Sequence, residues 1–204
     1  MNRVAFSPFF IETLLVKNGE IQNLKYHNFR LNRTINYFFK ENSEIDLKNV
    51  INIKRGNSQT QRVRVLYSSS ILKVEYFEIK KREFKSLKIV KNNHIEYSFK
   101  YKNRDFLNSL KDKNSDEIII IKNGFVTDTT ISNLAFWNGT EWHTPNTPLL
   151  NGTKRMELLE KGFLKEVSIK IDDIFNYKKV AMLNAILGFY EIGEINKVII
   201  RKEE

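Results

Sequence analysis

Short segments of alternating apolar and polar residues, separated by Asn-Gly turns, constrain the fold of this chain most strongly. The apolar stretch FFIETLLVK ends at Asn18-Gly19, and the stretch EIIIIK ends at Asn123-Gly124. Asn-Gly favours the positive φ values that a tight β-hairpin turn requires. The segments QRVRVLYSS and ILKVEYFEIK alternate as half-buried strands do, and NLAFWNGTEWHTP is typical of a further hairpin. The sequence therefore predicts a protein rich in antiparallel strands.

Helical patterns lie between these strands, so the predicted class is α+β. Apolar residues recur at helical spacing in HNFRLNRTINYFFKEN. Ser43 and Asp46 resemble a capping box that begins a second helix at Leu47. Further helices are predicted in NRDFLNSLKDK, GTKRMELLEKGF and DDIFNY, and a final hairpin is predicted through Gly193. The charged stretch KKREF suggests a domain boundary, with a small domain over 1–82 and a larger one over 83–204.

The composition limits the classes of function. The chain has 204 residues, a formal net charge of +10 and no cysteine, so disulfides, thiolate metal sites and cysteine nucleophiles are excluded. The three histidines lie far apart in the sequence, and no Rossmann, P-loop or metal-ligand spacing is present. The basic charge is compatible with anionic small molecules, nucleic acid or a lysine-rich solvated surface. Charge alone does not choose among these three.

No apolar run approaches the roughly 20 residues that a transmembrane helix needs. The N-terminal apolar stretch is interrupted by Glu12 and has no small-residue cleavage site, so a signal peptide is not expected. We therefore expect a cytoplasmic protein that does not bind membranes.

An ordered set of segments carries more information than any single motif. In chain order these are HNFRL, FKYKNRDFLNSL, VTDTTISNLAFW, TPNTPLLNGTKRMELLEKG and MLNAILGFY. Together they resemble the class IV aminotransferases, the fold type IV pyridoxal-phosphate enzymes, over nearly the whole chain. The resemblance implies a small N-terminal α/β domain, a larger C-terminal β-barrel-like domain with flanking helices, and pyridoxal 5'-phosphate as the cofactor.

The resemblance implies two residues that act on the cofactor ring and the reacting carbon. Lys100 matches the lysine that forms a Schiff base with the cofactor and moves a proton at the substrate carbon. Lys102 is the local alternative, although its spacing to Asn103 is shorter than in the family pattern. Asp128 matches the acid that faces the ring nitrogen, where relatives usually carry glutamate. Without the resemblance, either lysine would be interpreted as an exposed surface residue, and Asp128 as a turn residue.

The resemblance also implies a phosphate site. Arg30 matches an arginine that reaches the phosphate, and a planar guanidinium suits bidentate contact with an anion. Gly152, Thr153 and Lys154 match the start of a helix, where N–H groups bind anions. Relatives often carry threonine where this chain has Lys154, so Thr153 is expected to substitute.

Three further cofactor contacts follow from the resemblance. Asn184 and Ala185 match a second turn on the phosphate side. Arg104 occupies a place where relatives carry arginine or tyrosine near the ring hydroxyl. Considered alone, each of these residues would be interpreted as a surface or turn residue without a cofactor contact.

Within the family, the strand FFIETLLVKNG resembles the start of 4-amino-4-deoxychorismate lyases. Thr13 matches a threonine proposed to help protonate the departing pyruvate unit, although a β-branched strand residue is the simpler reading. The implied reaction converts 4-amino-4-deoxychorismate to 4-aminobenzoate and pyruvate, a step towards folate. Arg64 is expected to hold a substrate carboxylate, with Arg62 on the same face, although alternation alone does not say which face points inward.

Two other functions stay open at this point. One is a class IV aminotransferase for D-amino or branched-chain acids on the same scaffold. The other is a degenerate, basic binding protein without the cofactor. For the enzyme we expect a small anionic substrate that resembles an amino acid, a homodimer that completes the site, and no nucleic-acid partner.

Overall fold

A computed structural model describes residues 8–53 and 60–201, and residues 1–7 of the N-terminal apolar stretch lie outside it. Its described part contains thirteen strands, four α-helices and one 3₁₀ helix, so the predicted mixed α+β class is confirmed. The chain divides into two compact units. The first includes the residues up to Ile79 and the short segment Phe99–Asn103, and the second includes Lys80–Ser98 and the residues from Arg104 onward.

The first unit is a four-stranded antiparallel sheet with helices on one side. The strands lie in the order β2-β1-β3-β4, and the Asn18-Gly19 turn joins β1 to β2 with φ values of 52° and 76°. Its elements are β1 (Phe10–Lys17), β2 (Glu20–Ile21), α1 (Leu24–Phe39), α2 (Leu47–Val50), β3 (Gln61–Tyr67) and β4 (Ile71–Glu78).

Alternation along β1 determines which side of this sheet is buried beneath α1. Phe10, Leu14 and Val16 are buried and belong to a core cluster that also contains Leu31 and Ile35 of α1. Successive side chains of a strand point to opposite faces, so the residues between them lie on the other face of the sheet. The sheet therefore has a helix-covered face and an opposite face.

The second unit contains two sheets. One has the order β10-β9-β8-β11-β12, the other has the order β13-β5-β6-β7, and residues from both sheets share one core cluster. The first of these sheets contains β8 (Asn133–Trp137), β9 (Trp142–Pro145), β10 (Leu164–Val167), β11 (Lys179–Asn184) and β12 (Gly188–Glu194). The second contains β5 (Ser86–Lys91), β6 (Glu117–Lys122), β7 (Phe125–Val126) and β13 (Ile199–Arg201). The helices are α3 (Asp105–Ser109), α4 (Thr153–Glu160) and a 3₁₀ helix over Ile171–Asn176.

Three local predictions were wrong. Asp46, not Ser43, is the N-cap of α2, where its carboxylate accepts a hydrogen bond from the Lys48 N–H. Helix α3 stops at Ser109, and the following Lys111–Asn114 segment is irregular. The final hairpin turns between β11 and β12, whereas Gly193 lies inside β12 beside a register shift.

The predicted domain boundary after residue 82 stays a prediction, although the first division between compact units falls at Ile79. Within the described ranges, none of the helices combines the length and the apolar character needed to cross a membrane.

Candidate active site

Thr13 and Arg64 lie side by side on the sheet face away from α1. The register pairs Thr13 of β1 directly with Arg64 of β3, and Arg64 in turn with Glu75 of β4. Side chains directly opposite each other share a face, with Cβ atoms roughly 5 Å apart. The Arg64 guanidinium donates to Glu75 at 2.8–2.9 Å, and its side chain is 45% exposed. The register therefore shows that Arg64 shares a face with Thr13, while the predicted contact of Arg64 with a substrate carboxylate stays a prediction.

Lys100 lies in a separate segment that pairs with the start of β1. The N–H of Ile11 donates to the Lys100 carbonyl at 2.9 Å, and Phe10 pairs with Tyr101 across an antiparallel bridge. The Tyr101 ring lies 5.2 Å from the Phe10 ring on the helix-covered side. This pairing brings the Lys100 backbone alongside β1 next to Ile11, two residues from Thr13, and the charge of Lys100 also acts on the buried His27.

Lys102, the alternative to Lys100, lies two pairs further towards the chain start of β1. Its N–H donates to the Phe9 carbonyl at 2.8 Å, and its ammonium lies 5.6 Å from the centre of the Phe9 ring. Lys102 is exposed, whereas Lys100 is half-buried. Of the two lysines, Lys100 is therefore the nearer to Thr13.

Arg30 lies on the helix-covered side of the sheet, in a buried polar cluster with Glu12 and His27. Its Nε and Nη2 donate to the two oxygens of Glu12 at 2.8 and 2.7 Å. His27 Nδ1 lies 2.6 Å from Glu12 Oε2, and both of these side chains are fully buried. The predicted contact of Arg30 with a phosphate stays a prediction.

Electrostatics determine the charge states in this cluster. Burial alone would raise the pKa of Glu12, but the charge and hydrogen bonds of Arg30, aided by His27, outweigh it and lower this pKa to about 2. The pKa of His27 is lowered mainly by burial, against the opposing effect of Glu12 and with further lowering by Arg30 and Lys100. His27 is therefore neutral, and it must carry its proton on Nδ1 to donate to the carboxylate.

In the second unit, Asp128 follows β7 and is held by two hydrogen bonds. Asn133 Nδ2 donates to Oδ1 at 2.7 Å, and the Leu150 N–H donates to Oδ2 at 2.9 Å. Burial raises the pKa of Asp128 to about 6, although the contacts with Leu150 and Asn133 and the charge of Arg155 oppose this rise. A buried carboxylate of this kind is suited to face a protonated ring nitrogen, which would stabilise its charge.

Gly152 is the N-cap of α4 and lies against Asn133. A Cβ at this position would come within 2.0 Å of Asn133 Oδ1, so only glycine fits there. Its φ of −74° is an ordinary value, so the requirement is close approach rather than backbone conformation. Thr153 follows as a buried residue, and the Lys154 ammonium pairs with Glu157 at 2.8 Å. Lys154 therefore forms an ion pair within α4.

Asn184, Ala185 and Arg104 occupy turns or helix starts of the second unit. Asn184 Oδ1 accepts from the N–H groups of Ile186 and Leu187 at 2.9 and 2.7 Å, so it fixes the turn after β11 that contains Ala185. Arg104 donates to the Tyr97 hydroxyl at 3.2 Å and to the Thr130 carbonyl. Thr130 lies in the loop directly after Asp128, so Arg104 braces that loop.

The candidate residues thus fall into two groups. In the first unit, Thr13 and Arg64 share one face of the sheet, Arg30 lies on the helix-covered side, and Lys100 pairs with the start of β1. In the second unit, the candidates are Arg104, Asp128, Gly152, Thr153, Lys154, Asn184 and Ala185.

Four residues that contact the candidate residues or act on their charge were not predicted from the sequence: Glu12, His27, Asn133 and Arg155. Arg155 is buried and binds the Pro145 carbonyl at 2.9 Å and the Glu166 carboxylate. A signal was available for Glu12, because it stands among the apolar residues on the buried side of β1. A signal was also available for His27 and Arg30, because their helical spacing of three places both on one face of α1.

Comparison with known proteins gives the family. The family model described as "Amino-transferase class IV" matches residues 10–195. An uncharacterized protein of Haemophilus influenzae is 37% identical over 187 residues, which cover 89% of this chain and 98% of that protein.

Solved structures agree with this result. A Haemophilus somnus protein named as a "putative 4-amino-4-deoxychorismate lyase" superposes with a TM-score of 0.83 at 30% identity, covering 90% of this chain and 98% of that chain. A hypothetical aminotransferase from Mycobacterium tuberculosis, solved with α-ketoglutarate and PMP, gives a TM-score of 0.79 at 16% identity, covering 97% and 85%. The second likeness concerns the fold alone. Because the family model and the Haemophilus influenzae relative both span most of the sequence, the chain belongs to the class IV aminotransferases, a family of pyridoxal-phosphate-dependent enzymes.

Proposed function

We propose that this chain is a pyridoxal-phosphate-dependent lyase that converts 4-amino-4-deoxychorismate to 4-aminobenzoate and pyruvate. The observation that carries the proposal is the pairing around β1, which sets Thr13 directly beside Arg64 and brings Lys100 to the same strand. A lyase needs such a set: an amine that moves a proton, a hydroxyl near the leaving group and a cation for a carboxylate. The name of the 30% identical Haemophilus somnus protein supports the same reaction.

The residues of both units fit the cofactor chemically. Asp128 is a buried acid whose raised pKa reflects a carboxylate in need of a cationic partner, which a protonated ring nitrogen would provide. In the second unit, the Gly152 backbone, Thr153 and the turn at Asn184 and Ala185 would hold the phosphate. In the first unit, the resemblance assigns Arg30 to the phosphate. Arg104 and Lys154 are the remaining residues of the proposed cofactor-binding site. When bound, the cofactor supplies an electrophilic carbon for the lysine and a ring that accepts electrons from the reacting carbon.

Lys100, Thr13 and Arg64 then divide the steps of the reaction. Lys100 Nζ removes the proton from the ring carbon that bears the substrate amine. Breaking the bond to the enolpyruvyl oxygen makes the ring aromatic, and this driving force reduces what the protein must supply. Thr13 Oγ1 or Lys100 Nζ returns a proton to the departing unit, which leaves as pyruvate. Arg64, held in place by Glu75, binds a substrate carboxylate through the charge-assisted hydrogen bonds that a guanidinium forms.

The proposal is tested with purified protein, added pyridoxal phosphate and 4-amino-4-deoxychorismate. We expect equal amounts of 4-aminobenzoate and pyruvate without any 2-oxo acid acceptor. Lys100→Ala should lose both the product and the borohydride-reducible adduct, whereas the matched variant Lys102→Ala should keep both. Product that appears only when a 2-oxo acid is added would make the chain an aminotransferase. A reducible adduct that survives in Lys100→Ala would refute the assignment of the lysine.

A homodimer and a cytoplasmic location are part of the same proposal; the first follows from the family resemblance and the second from the composition. Sedimentation of the purified protein should give about twice the chain mass of 24.2 kDa. A monomer with full lyase activity would show that one chain completes the site.

A further inference from the structure

Two members of the buried cluster of Glu12, Arg30 and His27 have no task in the function proposed above, namely Glu12 and His27. Glu12 accepts three hydrogen bonds, at 2.8 and 2.7 Å from Arg30 and at 2.6 Å from His27. The side chains of Glu12 and His27 are fully buried, and that of Arg30 is 7% exposed. Every other inward position of β1, at Phe10, Leu14 and Val16, carries an apolar side chain.

Stability alone does not explain this cluster. Removing an acid and an arginine from water is expensive, and well-packed apolar residues of similar volume are often as stable as a buried ion pair or more so. The arrangement does provide geometric precision. Glu12 contacts Nε and Nη2, the two donors on one edge of the guanidinium, and such a two-point contact fixes the plane of the group. His27 fixes the carboxylate in turn, because its Nδ1 donates to Oε2.

We propose that Glu12 is a positioning residue, which holds the Arg30 guanidinium in the orientation that contacts the phosphate of pyridoxal phosphate. This inference rests on the proposed function, because that function assigns Arg30 to the phosphate. Glu12 itself touches neither the cofactor nor the substrate in this scheme. Its effect is confined to ligands that carry a phosphate.

Glu12→Gln tests the proposal because it keeps the shape of the side chain and removes its charge. The readout compares the affinity for pyridoxal phosphate with that for pyridoxal, which has the same aldehyde and ring but no phosphate. We expect the affinity for pyridoxal phosphate to fall about tenfold or more, a change of about 1.4 kcal/mol, while that for pyridoxal stays within about twofold. Arg30→Gln should show the same selectivity, and the double variant should be no weaker than Arg30→Gln alone, since coupled residues are not additive.

Glu141→Gln is the matched control. Glu141 also accepts from a histidine and a cation, His143 at 2.9 Å and Lys165 at 3.0 Å, but none of the three belongs to the proposed site. This variant should bind both ligands as the unchanged protein does. Circular dichroism and urea unfolding report whether each variant is folded. If Glu12→Gln does not fold, Glu12→Asp keeps the charge but shifts the carboxylate by one methylene, and it should give the same selective loss.

Two results would overturn the inference. Equal weakening of pyridoxal phosphate and pyridoxal would make Glu12 a purely structural residue. Unchanged or tighter binding of pyridoxal phosphate in Glu12→Gln would show that the acid merely competes with the phosphate for Arg30. A failure of the proposed function looks different. If the unchanged protein forms no 4-aminobenzoate but still binds pyridoxal phosphate, the lyase is refuted and the role of Glu12 stands or falls on the selectivity alone. If the unchanged protein binds neither ligand, both proposals fail.

Discussion

Asp128→Asn should change the pH dependence of stability in the protein without cofactor. Burial raises the pKa of Asp128 from 3.8 to about 6, so the folded chain binds this proton more tightly than the unfolded chain does. Its contribution to stability is therefore fully present below pH 3.8 and is lost as the pH rises through about 6. The difference between the two pKa values corresponds to about 3 kcal/mol, of which about half is lost between pH 5 and pH 7.5.

An asparagine at this position does not titrate, so the variant lacks this loss. Its amide oxygen can accept from the Leu150 N–H, but its NH₂ group would then face Asn133 Nδ2, a donor against a donor. That mismatch costs about 1–3 kcal/mol at every pH. The informative quantity is therefore the change with pH rather than the stability at any single pH.

The assay is urea unfolding at pH 5 and at pH 7.5 for both proteins. On going to pH 7.5, the unchanged protein should lose about 1.4 kcal/mol of unfolding free energy relative to the variant. Asp116→Asn is the control, because hydrogen bonds from the Lys85 N–H and from Ser86 lower the pKa of Asp116 below its ordinary value, so its contribution to stability is fully present at both pH values. This variant and the unchanged protein should therefore show the same change between pH 5 and pH 7.5. If the stabilities of the unchanged protein and Asp128→Asn move in parallel between the two pH values, the argument from burial is refuted.

Two further substitutions test the sites in each unit. Thr13→Gly should slow lyase turnover more than it slows any transfer of the amino group. Thr13→Ser keeps the hydroxyl, so its lyase turnover should stay close to that of the unchanged protein. Equal effects of Thr13→Gly on both reactions would make Thr13 a structural residue. Gly152→Ala should destabilise the fold by about 1–3 kcal/mol in urea unfolding, because its Cβ would lie 2.0 Å from Asn133 Oδ1 and must displace it. Its control is Glu160→Ala on the same helix, and an unchanged midpoint for Gly152→Ala would show that Asn133 moves freely.

The turns could be predicted from the sequence because their chemistry is local. Asn18-Gly19 and Asn123-Gly124 both adopt positive φ at both residues, as Asn-Gly hairpin turns require. The prediction of a turn at Gly193 also rested on local chemistry, but it was wrong. Its φ of 149° serves the register shift inside β12 rather than a turn, and a lone glycine in the sequence does not distinguish the two.

Pairings between distant segments could not be predicted from local patterns. Strand β13 lies parallel to β5, and Phe99–Asn103 joins the first unit although the segments on both sides of it belong to the second. Such contacts depend on long-range packing, which leaves no periodic signal in either segment. This limit concerns the site directly, because the pairing of Lys100 with Ile11 is a contact of this kind.

The resemblance identified candidate residues, whereas the structure supplies the relations between them. Alternation in RVRVLY left the direction of Arg64 open, and the register with Thr13 determines it. Glu12 shows the converse case, because its position among inward apolar residues was visible in the sequence but its partners were not. A carboxylate on the buried side of a strand must find a cation or a donor, since an unpaired buried charge is very unfavourable. The HNFR segment supplies both, because a spacing of three on a helix puts His27 and Arg30 on one face. An acid on an inward strand position, followed by a histidine and an arginine three apart on the next helix, is therefore a pattern that predicts a buried polar cluster.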